Sequence, residues 1–214
     1  MLVDGIGLWC EIAGRDCAGR SAIFLDRDGV IVEDVDYLYR AEDIRFLPGA
    51  AAAIARCNGL GIPVVVVTNQ SGVGRAYYDW SAFYAVQSAL VAQLAQQGAG
   101  LDAVLACAYH ADAHGVYRIA DHPWRKPNPG MIREAAERMR LDLANSWIIG
   151  DRASDLVAGR VAGLCGGVLV TGGHGKNEGA LPSALADERF IVKISPTLAD
   201  AVEILIKIFD AGEC

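Results

Sequence analysis

IPVVVVTNQSG, residues 62–72, is the stretch on which the fold turns. Val64, Val65, Val66 and Val67 follow one another without a polar residue between them. A β-branched run that is apolar at every position suits a strand buried on both faces, as strands in parallel sheets are. The run gives way at Thr68 to hydrogen-bonding side chains and then Gly72. Upstream, residues 22–25 (AIFL) read as a second buried strand. The Ala-rich segment between Pro48-Gly49 and Gly61 reads as a helix with a proline at its start and a glycine past its end. Downstream, helices are expected over 80–97, 129–141, 156–162 and 197–209, and strands over 101–107, 147–149, 167–170 and 190–193. Strands alternating with helices imply βαβ units, so the expected fold class is α/β, a three-layer, doubly wound, mainly parallel sheet. Residues 1–20 form an N-terminal extension, either a flexible arm or an extra strand around GLWCEI. Residues 21–214 form a single domain with a loop insert at about 107–124, rich in His, Asp and Gly.

Composition narrows the class. At 53% hydrophobic and 21% charged residues, the 214-residue chain can bury one core and is not a disordered polymer. A net charge of -7 argues against sequence-independent nucleic-acid binding, which needs a basic face. It leaves room for an anionic small molecule in a local pocket of Arg and Lys. The six cysteines include no CxxC pair, which fits reduced thiols better than a disulfide framework. No apolar run is long enough to span a bilayer, and the first residues lack the basic start of a secretory signal. A cytoplasmic protein with no membrane or nucleic-acid partner is expected. It is expected as a monomer, because no helix carries a long apolar stripe beyond core needs.

Ligands of open parallel sheets bind outside the carboxyl ends of the strands. The first strand is followed by Asp26-Arg27-Asp28-Gly29, the valine strand by Thr68-Asn69-Gln70-Ser71, and the strand at 147–149 by Gly150-Asp151, with Asp155 shortly after. A basic element, Arg125-Lys126-Pro127, precedes the last of these. Carboxylates of Asp26, Asp28 and Asp151 on one edge would repel one another, and a hard divalent cation with oxygen ligands, magnesium by preference, resolves that; Asp155 is expected to support the metal or Lys126. Asp26 is then the candidate nucleophile and Asp28 the candidate acid and base. Thr68, Lys126 and the backbone amides that follow Thr68 are candidates to hold phosphate oxygens.

The motifs LDRDG (25–29), TNQSG (68–72), RKPNPGM (125–131) and GDRASD (150–155) together resemble those of the haloacid dehalogenase superfamily of phosphatases. The longer wording FLDRDGVI and VVVVTNQSGVGR is similar to the subgroup that contains heptose bisphosphate 7-phosphatases and histidinol-phosphate phosphatases. The resemblance covers residues 21 to about 170. It implies a Rossmann-like sheet without a large cap domain, and the short gaps between the motifs leave no room for one. It implies substrate contacts at Asp34, Val35, Asp36 and Tyr37, at Asn69, Gln70 and Ser71, and at Arg125. Arg75 and Arg152 are further candidates, because guanidinium suits phosphate.

The subgroup often holds zinc in the loop before RKP through a Cys-x-His and a Cys-x-Cys pair. Here Cys107 matches the first position, Tyr109 stands in place of the His, and His122 and Trp124 in place of the Cys pair. Cys107, His110, His114 and His122 remain candidate zinc ligands, with a metal-free loop as the alternative. The expected activity is magnesium-dependent phosphomonoester hydrolysis of a sugar bisphosphate through an aspartyl-phosphate, with heptose 1,7-bisphosphate as the first candidate. Histidinol phosphate is the alternative substrate, and a non-catalytic phospholigand-binding protein is the alternative of another class.

Overall fold

The computed structural model describes residues 1–172 and 185–212. The strands among them are β1 Leu8–Ile12, β2 Ile23–Leu25, β3 Val64–Asn69, β4 Ala103–Cys107, β5 Trp147–Gly150, β6 Gly166–Val170 and β7 Ile191–Ser195. They form one sheet in the order β1-β4-β3-β2-β5-β6-β7. Every neighbouring pair is parallel except β1 with β4, which run antiparallel with Leu8 opposite Cys107 and Ile12 opposite Ala103. The helices are α1 Ala50–Gly59, α2 Ser71–Gly74, α3 Trp80–Gln96, α4 Gly130–Met139, α5 Ala153–Ala162 and α6 Leu198–Ala211.

The valine run does what its pattern requires. Val64 and Val66 face one core with Ile54 of α1, Phe83 of α3 and Leu205 of α6. Val65 and Val67 face the other, with Met131 and Ile132 of α4 and Leu156 of α5. All four valines are fully buried, each worth about 1.5–3 kcal/mol relative to exposure. Helices on both faces make the three layers. Pro63, which has no N–H to give a ladder, lies outside β3, so the strand starts two residues later than the apolar run.

The N-terminal question resolves as a strand, since β1 extends the sheet past β4. Its lead-in is a tight turn in which Asp4 Oδ1 accepts from the amides of Ile6, Gly7 and Leu8 at 3.0, 2.9 and 3.0 Å. Helix α5 begins at Ala153, earlier than its apolar pattern suggests, because Asp155 Oδ2 accepts from Arg152 N at 3.1 Å and caps the first turn. The one-turn helix α2 was not foreseen.

From β2 the chain builds β3 and β4 to one side, then crosses back to place β5 on the other. The crevice at the carboxyl ends of β2, β3 and β5 is therefore the switch point of the sheet. Leu25 is in register with both Val66 and Ile149, and Asp26 N donates to Ile149 O at 3.0 Å. The segments leaving these strands thus start at one level. Among the described residues, β2 and α1 are joined by loop and one 3-10 turn, and β3 and β4 by α2 and α3. No cap domain stands in either connection.

Candidate active site

Asp26 leaves β2 nearly buried, at 8% exposure. Its Oδ1 accepts from Arg27 N at 2.8 Å and lies 3.0 Å from Lys126 Nζ. The Lys126 ammonium also pairs with Asp155 Oδ1 at 2.6 Å and donates to Val67 O at 2.8 Å. Burial alone would discharge it, but Asp155 and Asp26 outweigh burial and hold its pKa above the usual lysine value. The Lys126 backbone is held as firmly. Asn69 Nδ2 donates to Lys126 O at 3.0 Å, and Lys126 N donates to Asn69 Oδ1 at 3.1 Å. Asn69, expected to touch substrate, thus also clamps the lysine loop onto the end of β3.

Carboxylate oxygens of Asp26, Asp151 and Asp155 lie within 4.8 Å of one another. Of these three, Asp26 and Asp155 pair with the buried Lys126 ammonium. Burial lifts the Asp155 carboxyl to about 7, Lys126 opposing and the charges of Asp26 and Asp151 assisting. Two glycines make the crowding possible. A Cβ on Gly29, whose φ is +81°, would lie 2.3 Å from Asp151 Oδ2, and one on Gly150 would lie 2.3 Å from Asp155 Cβ. An all-oxygen, acidic and buried donor set fits a hard divalent cation.

The Asp28 side chain is not among the grouped carboxylates. Its carboxylate is forked by Arg27, Nε to Oδ1 at 3.0 Å and Nη2 to Oδ2 at 2.9 Å. The reason is that Arg27 is itself 1% exposed, and a guanidinium buried that deeply needs a carboxylate within the protein. Burial raises the Asp28 pKa, with Arg27 opposing and Asp26 assisting. Such a carboxyl takes up a proton more readily than a free one. Gln70, expected at the substrate, is 2% exposed. Its Nε2 donates to Asp28 Oδ2 at 3.0 Å and to Thr68 Oγ1 at 2.9 Å, and its Oε1 accepts from Tyr78 Oη at 2.6 Å. Replacing Gln70 by Leu leaves Asp28 and Thr68 without this tie. Loss of such a supporting partner is expected to lower kcat by about 10–100-fold with little change in KM. Steady-state kinetics beside a thermal melt check this, and an unchanged kcat in a folded variant refutes it.

Asp26, Asp28, Thr68, Ser71, Lys126 and Asp155 line a cavity of about 490 Å³, with Asp34, Asp36 and Tyr37 on one wall and Arg75, His110, Arg125 and Arg152 around it. Val35, expected at the substrate, is 45% exposed and is not part of this lining; its neighbours on either side point in and it points out. Arg152 pairs with Asp34 at 3.3 Å, and Arg75 donates to Tyr37 Oη at 2.9 Å. Sequence reasoning missed Arg27, Tyr78, Pro127 and Ser154, and it missed His110 as a cavity residue. Nothing in the pattern around Arg27 or Tyr78 marks them as buried.

The candidate zinc ligands do not converge. Among the described residues, the group of His, Cys, Asp or Glu side chains placed to hold an ion is Asp26, Asp151 and Asp155. His110 turns to Arg75, whose Nη2 lies 3.2 Å from its Nε2. His122 stacks on Tyr109 with ring centroids 4.2 Å apart, and its Nδ1 accepts from Trp124 N at 3.1 Å. Cys107 is fully buried in β4, and burial pushes its thiol up to about 12, which disfavours the thiolate that zinc needs.

The HAD-hydrolase-like family model matches residues 123–194. A D-glycero-beta-D-manno-heptose-1,7-bisphosphate 7-phosphatase of Mesorhizobium japonicum is 51% identical over 168 residues, 78% of this chain and 77% of that one. A D-glycero-D-manno-heptose-1,7-bisphosphate 7-phosphatase of Thermosynechococcus vestitus is 40% identical over 191 residues, 86% of this chain and 94% of that one. The crystal structure of D,D-heptose 1,7-bisphosphate phosphatase from B. bronchiseptica complexed with magnesium and phosphate superposes with a TM-score of 0.75 at 33% identity, covering 87% of this chain and 98% of that one.

Proposed function

This chain belongs to the haloacid dehalogenase-like phosphatases, and from that premise we propose that it removes the 7-phosphate of a heptose 1,7-bisphosphate through an aspartyl-phosphate on Asp26. The observation that carries the reading is the Asp26 carboxylate at a cavity wall, 3.0 Å from a buried ammonium and grouped with Asp151 and Asp155. Asp26 and Asp151 would hold the magnesium ion, with Asp155 behind them. When bound, the ion neutralises the carboxylate excess and draws charge from the phosphoryl oxygens.

An Asp26 carboxylate oxygen attacks phosphorus in line with the sugar oxygen, which departs as Asp28 gives it a proton. Asp28, now a carboxylate, takes a proton from the water that attacks the aspartyl-phosphate, and Asp26 and phosphate are released. Lys126 meets charge spreading onto the non-bridging oxygens. The Thr68 hydroxyl, whose oxygen already accepts from Gln70, is left to donate its own proton to one of them.

Arg75, Arg125 and Arg152 in the cavity lining favour a substrate with a second anionic group over histidinol phosphate, which carries a cationic amine and an imidazole but no second anion. The test is phosphate release with Mg²⁺ from heptose 1,7-bisphosphate and histidinol phosphate side by side, with a chelator control. The heptose ester is expected to lead by about 100-fold or more in kcat/KM, and chelation to abolish both rates. Equal, low rates would sink the substrate assignment, and full activity in chelator would sink the metal.

A further inference from the structure

We propose that Asp4 and Tyr109 form a clasp that sets Arg125 at the cavity, which makes Tyr109 a positioning residue of the phosphatase reaction. The inference rests on the phosphatase reading, and not on which phosphoester is the substrate.

Arg125 lines the cavity, and its Nη1 donates to Tyr109 O at 3.1 Å. Arg75 and Arg152 each have a carboxylate partner, Asp112 and Asp34. Among the described residues Arg125 has no ion pair, so a backbone carbonyl is what orients its fork. The position of that carbonyl depends on the Tyr109 side chain. Its hydroxyl donates to Asp4 Oδ2 at 2.5 Å, while Asp4 Oδ1 is already fixed by three amides of the turn that leads into β1. Its ring is 5% exposed and stacks on His122. His122 O in turn accepts from Arg125 N at 2.9 Å. Residues 4, 109 and 122 therefore grip Arg125 at its backbone and at its guanidinium.

Gly7 belongs to the same device. A Cβ there would lie 2.7 Å from the Tyr109 ring, a buried ring that also stacks on His122, so Gly7→Ala shifts Tyr109 without changing its chemistry. The clasp joins the N-terminal segment to the active site across about a hundred residues of chain, through side chains that leave the chemistry at Asp26 untouched.

The test is a double-mutant cycle in the full-length enzyme with Mg²⁺, on heptose 1,7-bisphosphate. Should the wild type fail to turn that ester over, the substrate assignment falls, and the same cycle is read with p-nitrophenyl phosphate. Tyr109→Phe removes only the bond to Asp4 and is expected to raise KM by about tenfold, with kcat changed less than about threefold, the mark of a displaced binding group. In an Arg125→Ala background the same substitution is expected to change KM by less than about twofold, because the group it positions is gone. An equal loss in both backgrounds, or no loss in either, overturns the proposal. If Tyr109→Phe does not fold, Asp4→Asn and Gly7→Ala take its place in the cycle with the same two readings.

Discussion

Asp26→Asn is expected to cost at least about 10⁴ in kcat, the scale of losing a nucleophile, while the chain stays folded. An amide is isosteric with the carboxylate and can still accept from Arg27 N. The electrostatic effect on stability is favourable. Asp26, Asp151 and Asp155 lie close together, with Lys126 paired to Asp26 and Asp155, and neutralising one of three crowded carboxylates relieves repulsion that a bound cation would otherwise relieve. The melting temperature in chelator is therefore expected to be equal to or above that of the wild type, and the rise on adding Mg²⁺ is expected to shrink. Phosphate release beside thermal melts with and without Mg²⁺ decides it. Wild-type turnover by the variant would end the aspartyl-phosphate mechanism.

Lys126→Ala is expected to fail in the opposite manner, losing both rate and stability. Lys126 is 4% exposed, and its ammonium is tied to Asp26, Asp155 and Val67 O. Its removal leaves the buried carboxylates without their cation, and breaking a buried pair in this way costs about 3–5 kcal/mol. For a chain of this length that is a fall of roughly 10 °C in melting temperature. Loss of an electrostatic group at the phosphoryl oxygens adds a decrease of about 10²–10³ in kcat. Magnesium should recover part of the stability and little of the rate. A melting temperature in chelator within a degree of the wild type would show that Lys126 does not bear the charge of this cluster.

The two substitutions separate what the sequence made legible from what it did not. The strand ends were legible because β-branched runs stop abruptly at polar residues, as Leu25 does at Asp26 and Ile149 at Gly150-Asp151. The pairing of Asp28 with Arg27 was not. Nothing in the sequence marks Arg27 as buried; its 1% exposure and the packing of Phe83 against it, 5.6 Å from ring centroid to guanidinium, are tertiary facts. Gln70 was read as a substrate contact because it belongs to a motif at a strand end; its burial beneath Tyr78 depends on how the segment after α2 folds back. For the histidines of the 107–124 loop the sequence offers spacing alone. Spacing does not reveal that Tyr109 would be drawn to Asp4, or His110 to Arg75. That Gly29 and Gly150 leave room for the carboxylates of Asp151 and Asp155 depends on the registry of β2 and β5, which the sequence does not display.

The position of β2 at the switch point also fixes when the enzyme can come into being. During synthesis Asp26 emerges early, yet its amide is bonded to Ile149 and its carboxylate to Lys126. A nascent chain that has made only β1 to β4 holds Asp26 beside an unpaired edge of the sheet. The site is complete only once β5 has docked against β2 and brought Asp151 and Asp155 to it, through contacts more than a hundred residues apart in sequence, the kind that form slowly.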